Sequence, residues 1–404
     1  MLKGLKHRLY PTDSQKELIA KHIGCSRFVY NLALETKNTA YLGSKHNFSP
    51  FDLIKQIPEL KKECEWLKEV NSQSLQQSIQ NMDIAFKKFF KGAGFPKYKS
   101  KHKGKQSFSI PQNVSVNGNK LMIPKFKKGI EIVLHREIKG TIKSATISVT
   151  PTGKYFVSIL VDTNTENPIK APIKEETTIG IDLGIKDFVI TSEGYRYKNN
   201  RYTKTYAKKL KEHQQHLSRK TKGSNRYQKQ KLKVATIYKK ITNSRLDNLH
   251  KVSTELIKKY DLIVLEDLNI KGMIKNHKLS KYIVDASWSK FVEFLTYKAE
   301  WNDKKIVKID RFFPSSKTCN SCGYINQNLK LDMREWTCPS CNTKLDRDLN
   351  ASMNILNEGY KLISSGTDDY RRGDKIRPTS VGTIGEASKI LNLVSESHES
   401  LVRG

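Results

Sequence analysis

Two Cys-x2-Cys pairs, Cys319/Cys322 and Cys338/Cys341, constrain this chain more than any other feature of its sequence. Fifteen residues separate the pairs, and all four cysteines lie within 23 residues. Each pair can present two thiolates from one knuckle, and the four complete a tetrahedron. Zn(II) suits such a site because it prefers thiolate, imposes no geometry of its own, and stabilises short loop-rich segments that cannot fold alone. An Fe-S centre or a metal-free pair of loops are the alternatives. Four protein thiolates leave no position for water, so one zinc here is structural and catalysis lies elsewhere. Six cysteines in 404 residues are too few for a disulfide scaffold, and Cys25 and Cys64 read as ordinary buried thiols.

Charge narrows the partners. Lys and Arg number 73 against 40 Asp and Glu, a formal charge of +33, with 37% hydrophobic residues. At ~100–200 residues per domain, two or three domains with real interiors fit, which excludes a disordered or fibrous protein. No apolar stretch approaches the ~20 residues that cross a bilayer, and the opening MLKGLKHRLYPTDSQ has no secretory apolar region. The expectation is a soluble cytoplasmic protein. An excess of this size repels itself unless a polyanion neutralises it, which points to nucleic acid ahead of a membrane surface.

Along the chain, a strand at Leu5 to Tyr10 runs into Pro11, and Ser14 and Glu17 have capping-box spacing ahead of a helix. Apolar residues continue at helical spacing, so residues 14 to 92 are expected to be mostly helical. Gly92, Gly94 and Pro96 open a basic segment, KYKSKHKGKQ, that reads as a phosphate-contacting linker. From Phe108 the period changes to two. Asn117-Gly118 suggests a type I′ hairpin between Val114–Val116 and Leu121–Ile123, and strands follow at Ile130 to Leu134, Ile142 to Val149 and Tyr155 to Val161. With the first strand these make a small β-barrel. A polar linker over 162–177 leads to an α/β part, with strands at Thr178 to Asp182, Phe188 to Thr191, Asp261 to Asp267 and Ile306 to Asp310. Two helices broken at Gly223 are expected over 201–260, then helices at Trp288 to Trp301 and Asn350 to Ile363, and a loose, disordered tail over 364–404.

A second constellation is acidic. Asp182 ends a strand in IGIDLG, Glu266 ends another in IVLED, and Asp348 sits where LDRDLN turns into a helix. Carboxylates at strand ends and a helix start can converge at one sheet edge and hold Mg(II), with positions left for water and phosphate. Two such ions can activate water and stabilise the leaving oxygen of a phosphodiester. In a chain so rich in lysine, grouped carboxylates form a local negative hole that a cation fills. A Gly-x-Asp-x-Gly turn also serves ATPase and sugar-kinase folds, and a single strand-terminal Asp is more often a turn or cap residue than a ligand. Asp187, Asp267 and Asp346 compete for the same roles, although strand alternation points Asp267 away from Glu266.

IGIDLGIKDF, LEDLNIKGM, FFPSSKTCNSCG, WTCPSCN and DRDLNASMNI, in this order after KHRLYPTDSQKELI and CSRFVYNLAL, resemble the TnpB proteins of bacterial insertion sequences, relatives of the type V CRISPR effector nucleases. The resemblance spans about residues 1 to 360. It implies an α/β multidomain RNA-guided DNA endonuclease with a RuvC-like domain of RNase H fold (174–314 and 345–363) interrupted by a zinc ribbon (315–344). A β-barrel wedge domain (1–13 and 108–173) and a helical recognition domain (14–107) complete the implied plan. It assigns Asp182, Glu266 and Asp348 as the three catalytic acids holding two Mg(II). The implied partners are a transposon-derived guide RNA and double-stranded target DNA, with the protein as a monomer. The departures are Glu193, where many relatives carry Asp, and Ser352, where Ala is usual.

Residues 201–260 hold 18 Lys or Arg against three acids, an imbalance that ordinary solvated helices, which mix signs, do not show. With the Lys97 to Lys105 run they supply the phosphate-contacting charge. Tyr30, Asn31, Gln73, Ser74 and Gln77 lie on the helical part, within reach of a groove or else packed in its core. Two rival functions remain from sequence: a strand-transferring transposase using the same acids, and a zinc-ribbon DNA-binding regulator whose acids are structural.

Overall fold

The computed structural model describes residues 1–102, 104–165, 174–330 and 332–364, in two compact units that divide at residue 166. The expected tail lies outside the described residues, as does most of the polar linker before residue 174.

The first unit begins with β1 (Leu2–Tyr10) and α1 (Asp13–Ser44). Pro11 ends the strand, and the capping box belongs to Thr12 and Gln15 rather than to Ser14 and Glu17. The Gln15 amide donates to Thr12 Oγ1 at 3.4 Å and the Thr12 amide to Gln15 Oε1 at 3.0 Å. Both pairs have the right spacing; the pair next to Pro11 sits where the chain is still extended, as an N-cap requires. The short helices α2 (Pro50–Lys55) and α3 (Ile57–Glu63) lead to α4 (Ser72–Phe90), and Val29, Leu34, Leu53, Leu67, Leu75, Ile79 and Met82 form one helical core.

Next come β2 (Gln106–Ile110), β3 (Ser115–Asn117), β4 (Lys120–Met122), β5 (Ile130–Val133), β6 (Thr141–Val149) and β7 (Tyr155–Asp162). They join β1 in a seven-stranded antiparallel sheet ordered β2-β6-β7-β1-β5-β4-β3. Phe108 and Ile110 near one end share a core with Leu121 near the other, so the sheet curls around a single interior. The hydrogen-bonded ladder nevertheless ends at β2 and β3 rather than closing. The β3–β4 hairpin pairs Asn117 with Lys120, which makes Gly118 and Asn119 its loop. Only Gly118 takes a positive φ, +56°, so the turn is of type II′ and not the expected I′.

The second unit contains β8 (Thr178–Asp182), β9 (Asp187–Thr191), β10 (Arg196–Lys198), the helices α5 (Tyr202–Thr205), α6 (Ala207–Ser218) and α7 (Asn225–Lys259), then β11 (Leu262–Glu266), α8 (Ile270–Met273), α9 (His277–Ala286), α10 (Trp288–Trp301) and β12 (Lys305–Ile309). After the cysteines come β13 (Glu335–Thr337), β14 (Lys344–Asp346) and α11 (Arg347–Ser364). The main sheet runs β10-β9-β8-β11-β12. Its β8–β9 and β9–β10 pairs are antiparallel, while β8–β11 and β11–β12 are parallel. Ile179, Ile181, Ile263 and Leu265 face α7 and α10 on one side; Leu262, Val264, Val307 and Ile309 face α11 on the other. Continuous apolar runs on β8 and β11 follow from this double coverage. No helix among the described residues is long and apolar enough to cross a membrane.

Candidate functional site

Strand alternation decides where the acids point. On β8 the core residues Ile179 and Ile181 leave Gly180 and Asp182 on the α11 side, and on β11 Leu262, Val264 and then Glu266 share that side. The register pairs Leu265 with Ile181, so Glu266 and Asp182 follow as neighbours at the ends of adjacent parallel strands. Asp267 falls on the opposite face and is taken up by an ion pair with Arg311 at 2.5 Å.

Two glycines bring the third acid over these ends. A Cβ on Gly180 would lie 2.2 Å from the Ser352 carbonyl oxygen, and one on Gly359 would lie 2.5 Å from Val264 Cγ2. Their absence lets α11 lie directly on β8 and β11, with Asp348 in its first turn, buried, beside the strand ends. Asp346 serves instead as the cap of α11. Its Oδ1 accepts from the amides of Asp348 at 3.1 Å and Leu349 at 2.9 Å, and Arg196 holds it at 2.9 Å while also binding Asp187 at 3.2 Å.

The electrostatics join the three acids. Desolvation pushes the Asp182 carboxyl up to about 7, and the negative charges of Glu266 and Asp348 add to the shift; Arg347 and the Leu183 amide oppose it. Desolvation also raises Glu266, against a hydrogen bond that its Oε1 accepts from the Ser315 hydroxyl. Asp348 is bracketed by guanidinium groups, Arg334 Nη1 at 2.8 Å and Arg347 Nε at 3.4 Å. The charges of Glu266 and Asp348 thus bear on Asp182, and carboxyl oxygens are the donors that hard divalent cations take. Sequence reasoning missed Arg334, Arg347, Arg196 and Ser315; of these only Arg347 adjoins one of the three acids in the chain, too slight a signal in so basic a sequence.

The cysteines form the second centre. Their four Sγ atoms lie within 4.8 Å of one another, with Cys319–Cys341 at 3.7 Å and Cys322–Cys338 at 3.6 Å. A tetrahedron with Zn–S bonds of ~2.3 Å has edges of ~3.8 Å, so the donor set fits zinc. Two matching knuckles build it. Cys319 and Cys338 donate amides to the carbonyls of Tyr324 at 2.8 Å and Thr343 at 2.9 Å, and the residue after each second cysteine, Gly323 (φ +78°) or Asn342 (φ +56°), takes the left-handed turn. Leu329, Trp336 and Leu345 supply the small core around it.

The helical residues singled out for groove contact are largely occupied. Tyr30 and Ser74 are buried. Asn31 clamps the backbone of Lys99 through two bonds, at 2.8 and 2.9 Å, and the Lys99 ammonium sits 3.8 Å over the Tyr30 ring. Gln73 bonds Gln112 at 3.1 Å and Gln77 bonds Asn81 at 3.4 Å. Glu193 accepts from Lys259 and Tyr260, and the Ser352 hydroxyl donates to the Leu349 carbonyl, so both departures from the usual pattern are structural. Cys25 is buried, and desolvation raises its thiol to about 11, which makes it inert.

Comparisons with known proteins bear on the whole chain. Family profiles match residues 158–277 ("Probable transposase"), 288–355 ("Cas12f1-like, TNB domain") and 1–45 ("Helix-turn-helix domain"). The last description does not fit what those residues form, one strand and one uninterrupted helix. A Streptomyces pristinaespiralis protein named "Putative RNA-guided DNA endonuclease" is 37% identical, covering 93% of this chain and 92% of its own. "Putative RNA-guided DNA endonuclease InsQ" of Escherichia coli K12 is 29% identical, over 90% and 94%. In fold, the chain is similar to the protein in a Cas12f1-sgRNA-target DNA complex, with a TM-score of 0.56 at 13% identity over 88% of this chain and 99% of that one. The near full-length match at 37% identity places this chain in the TnpB family, whose transposon-encoded members include proteins named as RNA-guided DNA endonucleases.

Proposed function

We propose that the protein is an RNA-guided DNA endonuclease that hydrolyses phosphodiesters at Asp182, Glu266 and Asp348. The observation that carries this reading is the meeting of three distant chain segments at Asp182, whose carboxyl is raised by desolvation and then by the charges of Glu266 and Asp348. The five-stranded mixed sheet, covered on both faces by helices, supports reading residues 174–314 and 345–363 as a RuvC-like nuclease of RNase H fold, interrupted by a zinc ribbon over 315–344. The curled sheet and the helices of the first unit are read as wedge (1–13 and 108–173) and recognition (14–107) domains. A guide RNA and the target DNA are the partners, bound by a monomer in the cytoplasm through the lysine-rich surface of α6 and α7 and the Lys97–Lys105 run.

Asp182, Glu266 and Asp348 would hold two magnesium ions, which when bound lower the pKa of water and offset charge developing on the leaving oxygen. The chain's own groups set the stage. The Ser315 hydroxyl fixes the rotamer of Glu266, Arg347 and Arg334 hold Asp348 at the helix start, and the Asp346 cap fixes that start. The N-terminus of α11 adds a positive dipole end toward an incoming phosphate.

Protein purified with its copurifying RNA, given a DNA duplex matching that RNA, tests the reading. Asp182→Ala, Glu266→Ala and Asp348→Ala should each abolish cutting while leaving guided binding intact, because binding relies on lysines; Asp346→Ala, which removes the cap that positions Asp348, should slow cutting without abolishing it. Full cleavage by an Asp182 or Glu266 variant removes that acid from the mechanism. The family description as a transposase keeps strand transfer as the rival, and joined products from donor DNA without RNA would establish it.

A further inference from the structure

The loop between β12 and the cysteines carries two adjacent aromatics with opposite fates. Phe313 turns inward against the β11, β12 and α11 cluster, whereas Phe312 stands 85% exposed, more than any other large hydrophobic side chain among the described residues. Its backbone is held. The Asp267 amide donates to the Ile309 carbonyl at 3.3 Å, Arg311 pairs with Asp267 at 2.5 Å, and the Phe312 amide donates to Asp310 Oδ1 at 2.8 Å. On the far side the Ser315 amide returns to the Phe313 carbonyl at 2.8 Å and the Ser315 hydroxyl donates to Glu266. Both ends of the loop are thus tied to Glu266 or its neighbour, and the ring at the apex packs on nothing that would keep it there.

Distance follows from the ladder. Ile309 pairs with Glu266 in the parallel register, strands lie ~4.8 Å apart, and three residues span at most ~11 Å, so the Phe312 α-carbon is within ~16 Å of that of Glu266. A single exposed aromatic is ordinary on any surface. A ring on a backbone tied to Glu266 and Asp267, and within ~16 Å of Glu266, is in a different position. A strand whose phosphate reaches the three acids carries neighbouring bases within this range, and an unpaired base offers an apolar face of the ring's own shape. Lys317, five residues beyond Phe312, supplies positive charge for the backbone.

We infer that Phe312 is a substrate-positioning residue, a platform on which one unpaired base beside the scissile phosphate stacks. The inference rests on the reading of the protein as a DNA endonuclease and specifies how it holds the strand it cuts. Stacking on an aromatic is indifferent to base identity, as an enzyme addressed by a guide requires. It would fix the nucleotide next to the reacting phosphate and so limit how often that phosphate is out of line with the acids.

The test uses the full chain with its copurified RNA and a matching DNA duplex carrying 2-aminopurine beside the scissile phosphate. Fluorescence is read in an Asp182→Asn background, so the DNA stays intact. Phe312, Phe312→Tyr and Phe312→Trp should quench the probe; Phe312→Ala and Phe312→Leu should leave it several-fold brighter. With Asp182 present, the Ala and Leu variants should cut roughly 5- to 150-fold more slowly in single turnover, the range that loss of one base–aromatic stack predicts. Their melting temperature and RNA affinity should not move, because the exposed ring buries nothing in the fold. Equal fluorescence and equal rates for Phe312 and Phe312→Ala, with the unaltered protein cutting normally, would overturn the inference alone. Full rescue by Leu would also overturn it, since Leu is apolar but not planar. An unaltered protein that fails to cut guided DNA would overturn both this inference and the functional reading.

Discussion

Asp182→Asn is expected to stabilise the magnesium-free protein while abolishing its cleavage. Asp182 titrates near 3.8 when unperturbed and is raised to about 7 by desolvation and by Glu266 and Asp348. Between those values the native state holds a proton that the unfolded chain has lost, so stability falls as pH rises from about 4 to about 7. At ~1.36 kcal/mol per pH unit, a shift of about three units corresponds to ~4 kcal/mol. The side chain sits half-buried at an open strand end, and screening by water there reduces the figure to ~2 kcal/mol. In a unit of about 190 residues each kcal/mol moves the midpoint by ~2–4 °C, so Asn should raise it by ~4–8 °C at pH 8. The assay is thermal unfolding in buffer free of magnesium and of chelators, which leaves the cysteine site loaded. The advantage of Asn should fade toward pH 4, and added magnesium should raise the midpoint of the unaltered protein and close the gap. An Asn variant that melts no higher at pH 8, or a difference that does not change with pH, would refute the raised carboxyl at Asp182.

The four-cysteine site predicts close to one zinc per chain by elemental analysis after gentle purification, and Cys338→Ser should lose most of it; less than about half an equivalent in the unaltered protein counts against the site. Asp285, buried in α9, accepts from Arg245 at 2.5 Å and from the Thr203 hydroxyl at 2.6 Å. Asp285→Ala should cost ~3–5 kcal/mol in denaturant unfolding by stranding the Arg245 charge, and the double change Arg245→Met with Asp285→Leu should recover most of it. Equal stability of the single and double variants would show the pair to be idle.

Much of the second unit was legible because its strands are covered on both faces and read as unbroken apolar runs: Thr178–Asp182 has the bounds expected of it, and β11 differs from the expected strand by one residue at each end. The break before α7 was legible for a local reason, since Ser224 caps it through the Tyr227 amide. Short elements held by tertiary contacts were not. β10 is three residues paired through an irregular ladder, and α8 and α9 carry no apolar run long enough to declare them. The capping box and the hairpin turn were each misplaced by a residue or two because neighbouring residues offered equal chemistry and the register settled the choice. At the candidate site, the placement of Asp182 and Glu266 at strand ends and of Asp348 at a helix start was legible from sequence. The arginines that hold Asp348 were not, because a guanidinium is unremarkable among 73 basic residues until its partner is known.

The order of the motifs along the chain has a physical reason. The third acid is 82 residues beyond the second, and the cysteine segment lies between them. That segment is stitched to the helix that carries Asp348. The Asn320 amide donates to Asn350 Oδ1 at 2.9 Å, Asn350 and Asn354 Nδ2 donate to the Thr318 carbonyl at 2.7 and 2.6 Å, and the Arg347 amide donates to the Arg334 carbonyl at 2.8 Å. The Arg334 side chain then reaches Asp348 itself. A segment with so small a core, Leu329, Trp336 and Leu345, would depend on a bound metal to keep this shape. A zinc held by four thiolates would perform no chemistry, yet the start of α11, and with it Asp348, is fixed partly through the knuckles that such a zinc would close. Removal of that metal would therefore loosen Asp348 first, while Asp182 and Glu266 would stay fixed by the parallel ladder between β8 and β11.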